Sequence, residues 1–309
     1  MFGVIDRKKT FRSALVTPLD YAFLRQCIKA RSGLVLSPDK QDLVESRLLP
    51  VARKAGFSDP GELVVALRNA CDSALMTAVV EAMVTSDTCF FRDKTVFGYF
   101  RQTIVPALLA ARRRSRSIRI WCAAASTGQE AYSLALCLRD MAASLEGWGV
   151  KILATDLSNR VLDRARRGLY THFEVQRGLP IKVLIKHFTQ SGEQWQIAPE
   201  LRAMVTWRQL NLLGDFSPLG MFDVIFCRNV LTYFDRETKS DVLDRLAKVA
   251  ARDGYLVLGA TETLTGVTDR FNAIADQRGL YASNTITPRL SGRAAANSGL
   301  RLVAVNGGR

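Results

Sequence analysis

Apolar positions recur at helical spacing through the first third of the chain, then give way to compact apolar runs. Phe23, Leu24, Cys27 and Ile28 follow Thr17-Pro18-Leu19-Asp20, where Thr17 suits a helix cap and Pro18 presets the first turn; Gly33 ends the run. Ser37-Pro38-Asp39 opens a second helix, with Val44, Leu48 and Val51 on one stripe and Gly56 at its close. Asp59-Pro60 starts a third through Leu63, Val64 and Leu67, and Leu75, Met76, Val79, Val80 and Met83 make a fourth. The pattern predicts an all-helical unit over 17–84. The second helix turns Lys40, Arg47, Arg53 and Lys54 outward, either as a solvated face or as a contact for an acidic partner.

Beyond residue 116, strand and helix alternate. SIRIWCAA (117–124) reads as a buried strand, followed by a short turn and a helix from Glu130 to about Ala143. VKILAT (150–155) is a second strand ending at Asp156, with a helix over 158–168. FDVIFC (222–227), a helix from Arg236 to Ala251, and GYLVLG (254–259) continue the series. Such alternation predicts a parallel, doubly wound sheet, whose ligands bind beyond the carboxyl ends of the strands. The candidate positions are 126–130, Asp156, Arg228 and Asn229.

Composition narrows the class. A chain of 309 residues with 48% hydrophobic positions has room for two packed domains. No run approaches the ~18 apolar residues of a membrane span, and charges interrupt the first fifteen positions, so a cytoplasmic protein is expected. Flexible ends are expected over 1–16 and 285–309, the latter with four arginines and no acid. The six cysteines form no C-x-x-C pair and there are two histidines, so neither a zinc site nor a disulfide scaffold is expected. The net charge of +14 favours an acidic partner without identifying it.

The turn after the first strand has one glycine, Gly128, and no G-x-G-x-x-G or phosphate-binding loop follows any strand. A nucleoside without phosphates fits better. Asp156 is placed to accept ribose hydroxyls, and Glu130 to pair with an ammonium, which suggests S-adenosylmethionine; each residue alone also fits a structural role.

Five segments resemble the chemotaxis receptor methyltransferases, the CheR family: TSDTCFFRD (85–93), IWCAAASTGQEAYSL (120–134), ILATDLSNRVLDRARRGLY (152–170), FDVIFCRNVLTYFD (222–235) and GYLVLGATETL (254–264). The resemblance covers roughly 17–284. It implies a helical domain (17–84) followed by a Rossmann-like α/β methyltransferase domain (85–284), with a small antiparallel β-subdomain inserted at about 171–206. QWQIA (194–198) and MVTW (204–207) are β-rich enough for that insert.

The resemblance also implies cofactor contacts from Ser86, Thr88, Arg92, Glu130, Asp156, Asn211, Leu212, Arg228 and Asn229, with S-adenosylhomocysteine as product and no metal. Ser86, Gln129 and Ala131 stand where the family commonly has asparagine, glutamate and proline. The implied reaction is S-adenosylmethionine-dependent O-methylation of glutamate side chains on membrane chemoreceptors, giving glutamyl methyl esters in chemotaxis adaptation. A glutamate is ionised near pH 7, so direct transfer needs alignment and dryness, not a general base. Arg92 and Tyr233 are the candidates for holding the incoming carboxylate. Arg47, Arg53 and Lys54 are candidates for docking the helical coiled-coil receptors, and some family members capture a receptor C-terminal peptide by adding it to the β-subdomain. A monomer is expected. Two rival readings remain. A nucleic-acid methyltransferase would suit the charge and the Arg112-Arg113-Arg114 run, but FCRNVLTYF stands where N/D-P-P-Y/F would be expected and the run reads as solvated. The other rival is a non-catalytic binder of the same cofactor.

Overall fold

The computed structural model describes residues 16–70, 72–84 and 87–284. The ends expected to be flexible lie outside these residues, apart from Val16, which is buried; Ser86 also lies outside them. Four helices make the first unit: α1 (Pro18–Ser32), α2 (Gln41–Lys54), α3 (Pro60–Ala70) and α4 (Ser73–Met83). Extended Thr17 accepts from the Asp20 amide to cap α1, and Gly33 ends it at φ 77°. Asp72 caps α4 through the amides of Ala74 and Leu75. Helices this short are marginal alone, so their stripes carry the stability: Leu24, Ile28, Leu48, Leu63, Val64 and Val79 meet in one core and are fully buried.

The second unit begins with α5 (Lys94–Tyr99) and α6 (Val105–Ala111), joined by a widened turn at Phe100–Ile104. It continues through β1 (Ser117–Ala123), α7 (Gln129–Asp140), β2 (Gly149–Asp156), α8 (Asn159–Arg167), β3 (Leu169–Thr171), α9 (His172–Gln176), α10 (Ile181–His187), β4 (Phe188–Ser191) and β5 (Gln194–Ile197). After these come α11 (Pro199–Ala203), β6 (Val205–Gln209), β7 (Phe222–Cys227), α12 (Arg236–Val249), β8 (Ala250–Val257), β9 (Phe271–Ala273) and β10 (Leu280–Ser283). The large sheet has seven strands in the order β6-β2-β1-β7-β8-β10-β9. β6 through β8 are parallel, and β10 and β9 close the far edge antiparallel. The expected parallel sheet is therefore mixed at one edge, whose short strands carry too few residues to show a period.

A separate antiparallel sheet of three strands, β3-β5-β4, forms the small subdomain. It begins at Leu169, and residues 205–206, expected inside it, pair instead with Ile152 and Leu153 of β2. Alternation marks a strand but not its partner, which is why the boundary of the expected insert shifts. Arg112 also departs from expectation. It is not merely solvated: its guanidinium donates to Asp223 at 2.9 Å and pairs with Asp253, tying the end of α6 to β7 and β8. Arg113 and Arg114 are exposed, as read.

The helical unit roofs the carboxyl ends of the parallel strands. Lys29 Nζ lies 2.6 Å from the Asp235 carboxylate, the Val35 amide donates to the Tyr233 carbonyl at 2.9 Å, and Asn211 Nδ2 donates to the Arg31 carbonyl at 2.6 Å. On the far side the Asn159 amide reaches Glu81 at 3.0 Å.

Candidate cofactor site at the strand ends

Under that roof lies a cleft that opens to solvent between the two units. Thr88, Arg92, Glu130, Asp156, Asn211, Leu212, Arg228, Asn229 and Tyr233 all line it, as do Ser32, Leu34 and Val84 from the helical unit. Every described cofactor candidate and both carboxylate-holding candidates thus meet in one place. Arg47, Arg53 and Lys54 are on α2, outside the cleft lining. Arg47 donates to the Met83 carbonyl at 2.8 Å, next to the cleft residue Val84, and Arg53 and Lys54 are exposed.

Asp156 ends β2 and is buried. Its oxygens accept from the amides of Ser126 at 2.9 Å and Ser158 at 3.0 Å, which fixes the carboxylate and leaves lone pairs facing the cleft. Burial pushes its pKa up, against those backbone bonds.

Arg228 follows β7 with a fully buried side chain. It donates to Glu130 Oε2 at 2.5 Å, to Asp93 Oδ2 at 2.6 Å and to the Arg92 carbonyl at 2.9 Å. Its Nε has no hydrogen-bond partner among the described residues. Burial works against its charge, but the two carboxylates outweigh it and raise its pKa. Glu130 Oε1 also accepts from the Cys122 thiol at 3.2 Å, and burial pushes that thiol well up, so Cys122 is no nucleophile.

Arg92 and Tyr233 stand higher, with the Arg92 side chain 34% and Tyr233 37% exposed, against 12% for the Glu130 side chain. Arg92 donates to the Asp87 carbonyl at 2.8 Å. The Tyr233 hydroxyl has no hydrogen-bond partner among the described residues. Asn211, expected among the cofactor contacts, lines the cleft while its side chain is engaged with the Arg31 carbonyl and the Leu213 amide.

The loops around the cleft are strained. Phe91, Asp93, Ala124, Ser126 and Asn229 adopt left-handed backbone with φ between 49° and 57°, a conformation that persists only where the surroundings enforce it. Gly128 does so at φ 97°, and a Cβ there would lie 2.8 Å from the Trp207 ring and 2.9 Å from the Ala165 methyl. Gly128→Ala should therefore lower unfolding stability by about 2 kcal/mol, read from a urea melt, because both the backbone and packed groups must shift. An unchanged midpoint would mean the turn adapts freely.

Two residues escaped the sequence reading although their segments carried the resemblance. Asp93 closes FFRD and pairs with Arg228. Glu262, in GATETL, is buried and accepts from the amides of Asn229 and Gly259 at 2.8 Å and of Thr232 at 3.2 Å. It thereby holds the loop bearing Asn229 and Tyr233. Glu262→Ala leaves these amides without that acceptor and should cost about 3 kcal/mol of stability in the same melt; a cost below about 1 kcal/mol would show the loop is held otherwise. Among the described residues, no group of His, Cys, Asp and Glu could hold a metal, and no helix is long and apolar enough to cross a membrane.

The cleft is compatible with S-adenosylmethionine: it presents the buried Asp156 carboxylate and the Glu130–Arg228–Asp93 cluster, and among the described residues no glycine-rich phosphate loop. Comparison with known families agrees. Residues 19–84 match the CheR methyltransferase all-alpha domain and residues 86–280 the CheR methyltransferase SAM binding domain. The chain is 38% identical over 265 residues to chemotaxis protein methyltransferase 1 of Pseudomonas aeruginosa, covering 84% of this chain and 96% of that one. It is 35% identical over 268 residues to chemotaxis protein methyltransferase 1 of Vibrio cholerae, covering 86% and 96%. With the chemotaxis protein methyltransferase of Escherichia coli it shares 36% over 256 residues, covering 80% and 85%. The chain therefore belongs to the CheR methyltransferase family, as an S-adenosylmethionine-dependent methyltransferase whose binding domain is roofed by the family's all-helical domain.

Proposed function

We propose that this chain methylates glutamate side chains of chemoreceptors, forming glutamyl methyl esters. The observation that carries the reading is the layering of the cleft: Asp156, Glu130 and Arg228 on a buried floor, Arg92 and Tyr233 half-exposed above them. The floor suits a nucleoside and an amino-acid head; the upper pair suits a carboxylate from another molecule. When bound, S-adenosylmethionine supplies an electrophilic methyl group. Asp156 holds the ribose hydroxyls and Glu130 the ammonium. Arg92, with its forked guanidinium, and Tyr233, with a phenolic donor, orient the incoming carboxylate. That carboxylate is already ionised, so no residue has to remove a proton. Leu34, Val84 and Phe234 present apolar surface that excludes water.

The experiment is methyl transfer from radiolabelled donor to receptor-containing membranes and, separately, to nucleic acid. The reading expects label on receptor protein that mild base releases as methanol. Base-stable label on RNA or DNA, or cofactor binding without transfer, would contradict it.

The basic face of α2 is the proposed docking surface for the receptor's acidic helices. Arg53→Glu with Lys54→Glu should reduce receptor methylation about tenfold at low salt while leaving S-adenosylhomocysteine affinity unchanged, and the difference should fade as ionic strength shortens the Debye length below about 10 Å. A salt-independent rate in the unmodified chain would argue against docking by charge.

A further inference from the structure

We infer that Asp93 is a positioning residue: it neutralises the buried Arg228 and so keeps the negative charge of Glu130 available to the cofactor's ammonium. The inference rests on the assignment of Glu130 to that ammonium. Arg228 has no exposed side-chain surface, so its charge must be met within the protein. Glu130 meets it at 2.5 Å and Asp93 at 2.6 Å. With Glu130 alone, an arriving ammonium would find a carboxylate already spent on an arginine. With both, the cluster of one cation and two anions keeps one net negative charge beside the cleft.

The local backbone gives Asp93 no other task. It stands at the cap position of α5, where an aspartate ordinarily accepts from helix amides, yet its side chain caps none. It also holds a left-handed conformation, φ 57°, which costs a residue with a Cβ. The charged contact its side chain does make is long-range, with Arg228 at 2.6 Å.

Asp93→Asn tests this by calorimetric titration. Asparagine has nearly the same shape and tolerates left-handed backbone, so folding should persist, as a thermal melt will verify. The probes are S-adenosylhomocysteine, its decarboxylated analogue, which keeps the amine, and methylthioadenosine, which has neither amine nor carboxylate. The two amine ligands should weaken about tenfold and methylthioadenosine should change less than about twofold, the pattern of a lost charge interaction. Asp93→Glu, which keeps the charge, should preserve the ratio between amine ligands and methylthioadenosine. Equal loss for all three ligands, no loss in Asp93→Asn, or the same loss in both variants would overturn the inference. Glu130→Gln separates the two claims. If it weakens the amine ligands selectively while Asp93→Asn does not, Asp93 fails alone. If it spares them, the assignment of Glu130 fails, and the inference with it.

Discussion

Asp156→Asn should weaken S-adenosylhomocysteine binding by about 100-fold or more, the scale of losing two charge-assisted hydrogen bonds at ~1.5–3 kcal/mol each. Asparagine can still accept through one oxygen, but Oδ2 accepts from the Ser126 amide and Oδ1 from the Ser158 amide, so in either orientation its amide nitrogen would face a backbone N–H. Ser126 and Ser158 hold the carboxylate at 2.9 and 3.0 Å, so the side chain cannot turn away without breaking them. The same residue sets a pH dependence. The ionised form is the acceptor, and burial raises its pKa above the usual aspartate value. Affinity should therefore decline as pH falls through that raised value, at a higher pH than for an exposed carboxylate. In Asp156→Asn this decline should vanish. An affinity that the substitution leaves within about threefold would remove Asp156 from the ribose site.

Arg92→Ala should lower kcat for receptor methylation by about 100-fold, the scale of losing the alignment of one reacting group. Its effect on folding should be small, because its side chain is half-exposed and, among the described residues, makes polar contacts only with Asp87, through the carbonyl at 2.8 Å and the carboxylate at 4.0 Å. S-adenosylhomocysteine affinity distinguishes its two uses. If Arg92 serves the incoming glutamate, kcat falls while that affinity stays. If it serves the cofactor's own carboxylate, the affinity falls and saturating donor restores the rate. Arg92→Lys should rescue poorly, since an ammonium cannot reproduce the fork.

How much of this was legible beforehand follows from what each signal encodes. Caps and stripes specified α1 to α4 because both partners of each signal lie within a few residues, as with Thr17 and Asp20 in α1 or Met76 and Val79 in α4. The strand ends pointed to Glu130, Asp156, Arg228 and Asn229 because the binding rule for such sheets depends on chain order alone. The roof did not show. Ser32, Leu34 and Val84 enter the cleft through packing between units, and nothing local marks them. Asp93 and Glu262 were hidden differently: each acts across the fold, over 135 residues to Arg228 and 33 residues to the Asn229 amide. Read locally, Asp93 looks like a helix cap, a role that the structure does not give it. The edge strand β6 was misallotted to the subdomain for the same reason, since pairing with β2 is a long-range choice.

Peptide mapping of an intact chemoreceptor after incubation with this chain and S-adenosylmethionine tests the central claim most directly. The account predicts one added methyl per modified site, located on glutamate side chains, absent without donor and strongly reduced with Arg92→Ala. Methyl groups found on lysine, arginine or chain termini instead, or a receptor left unmodified by a chain that binds the donor, would contradict it.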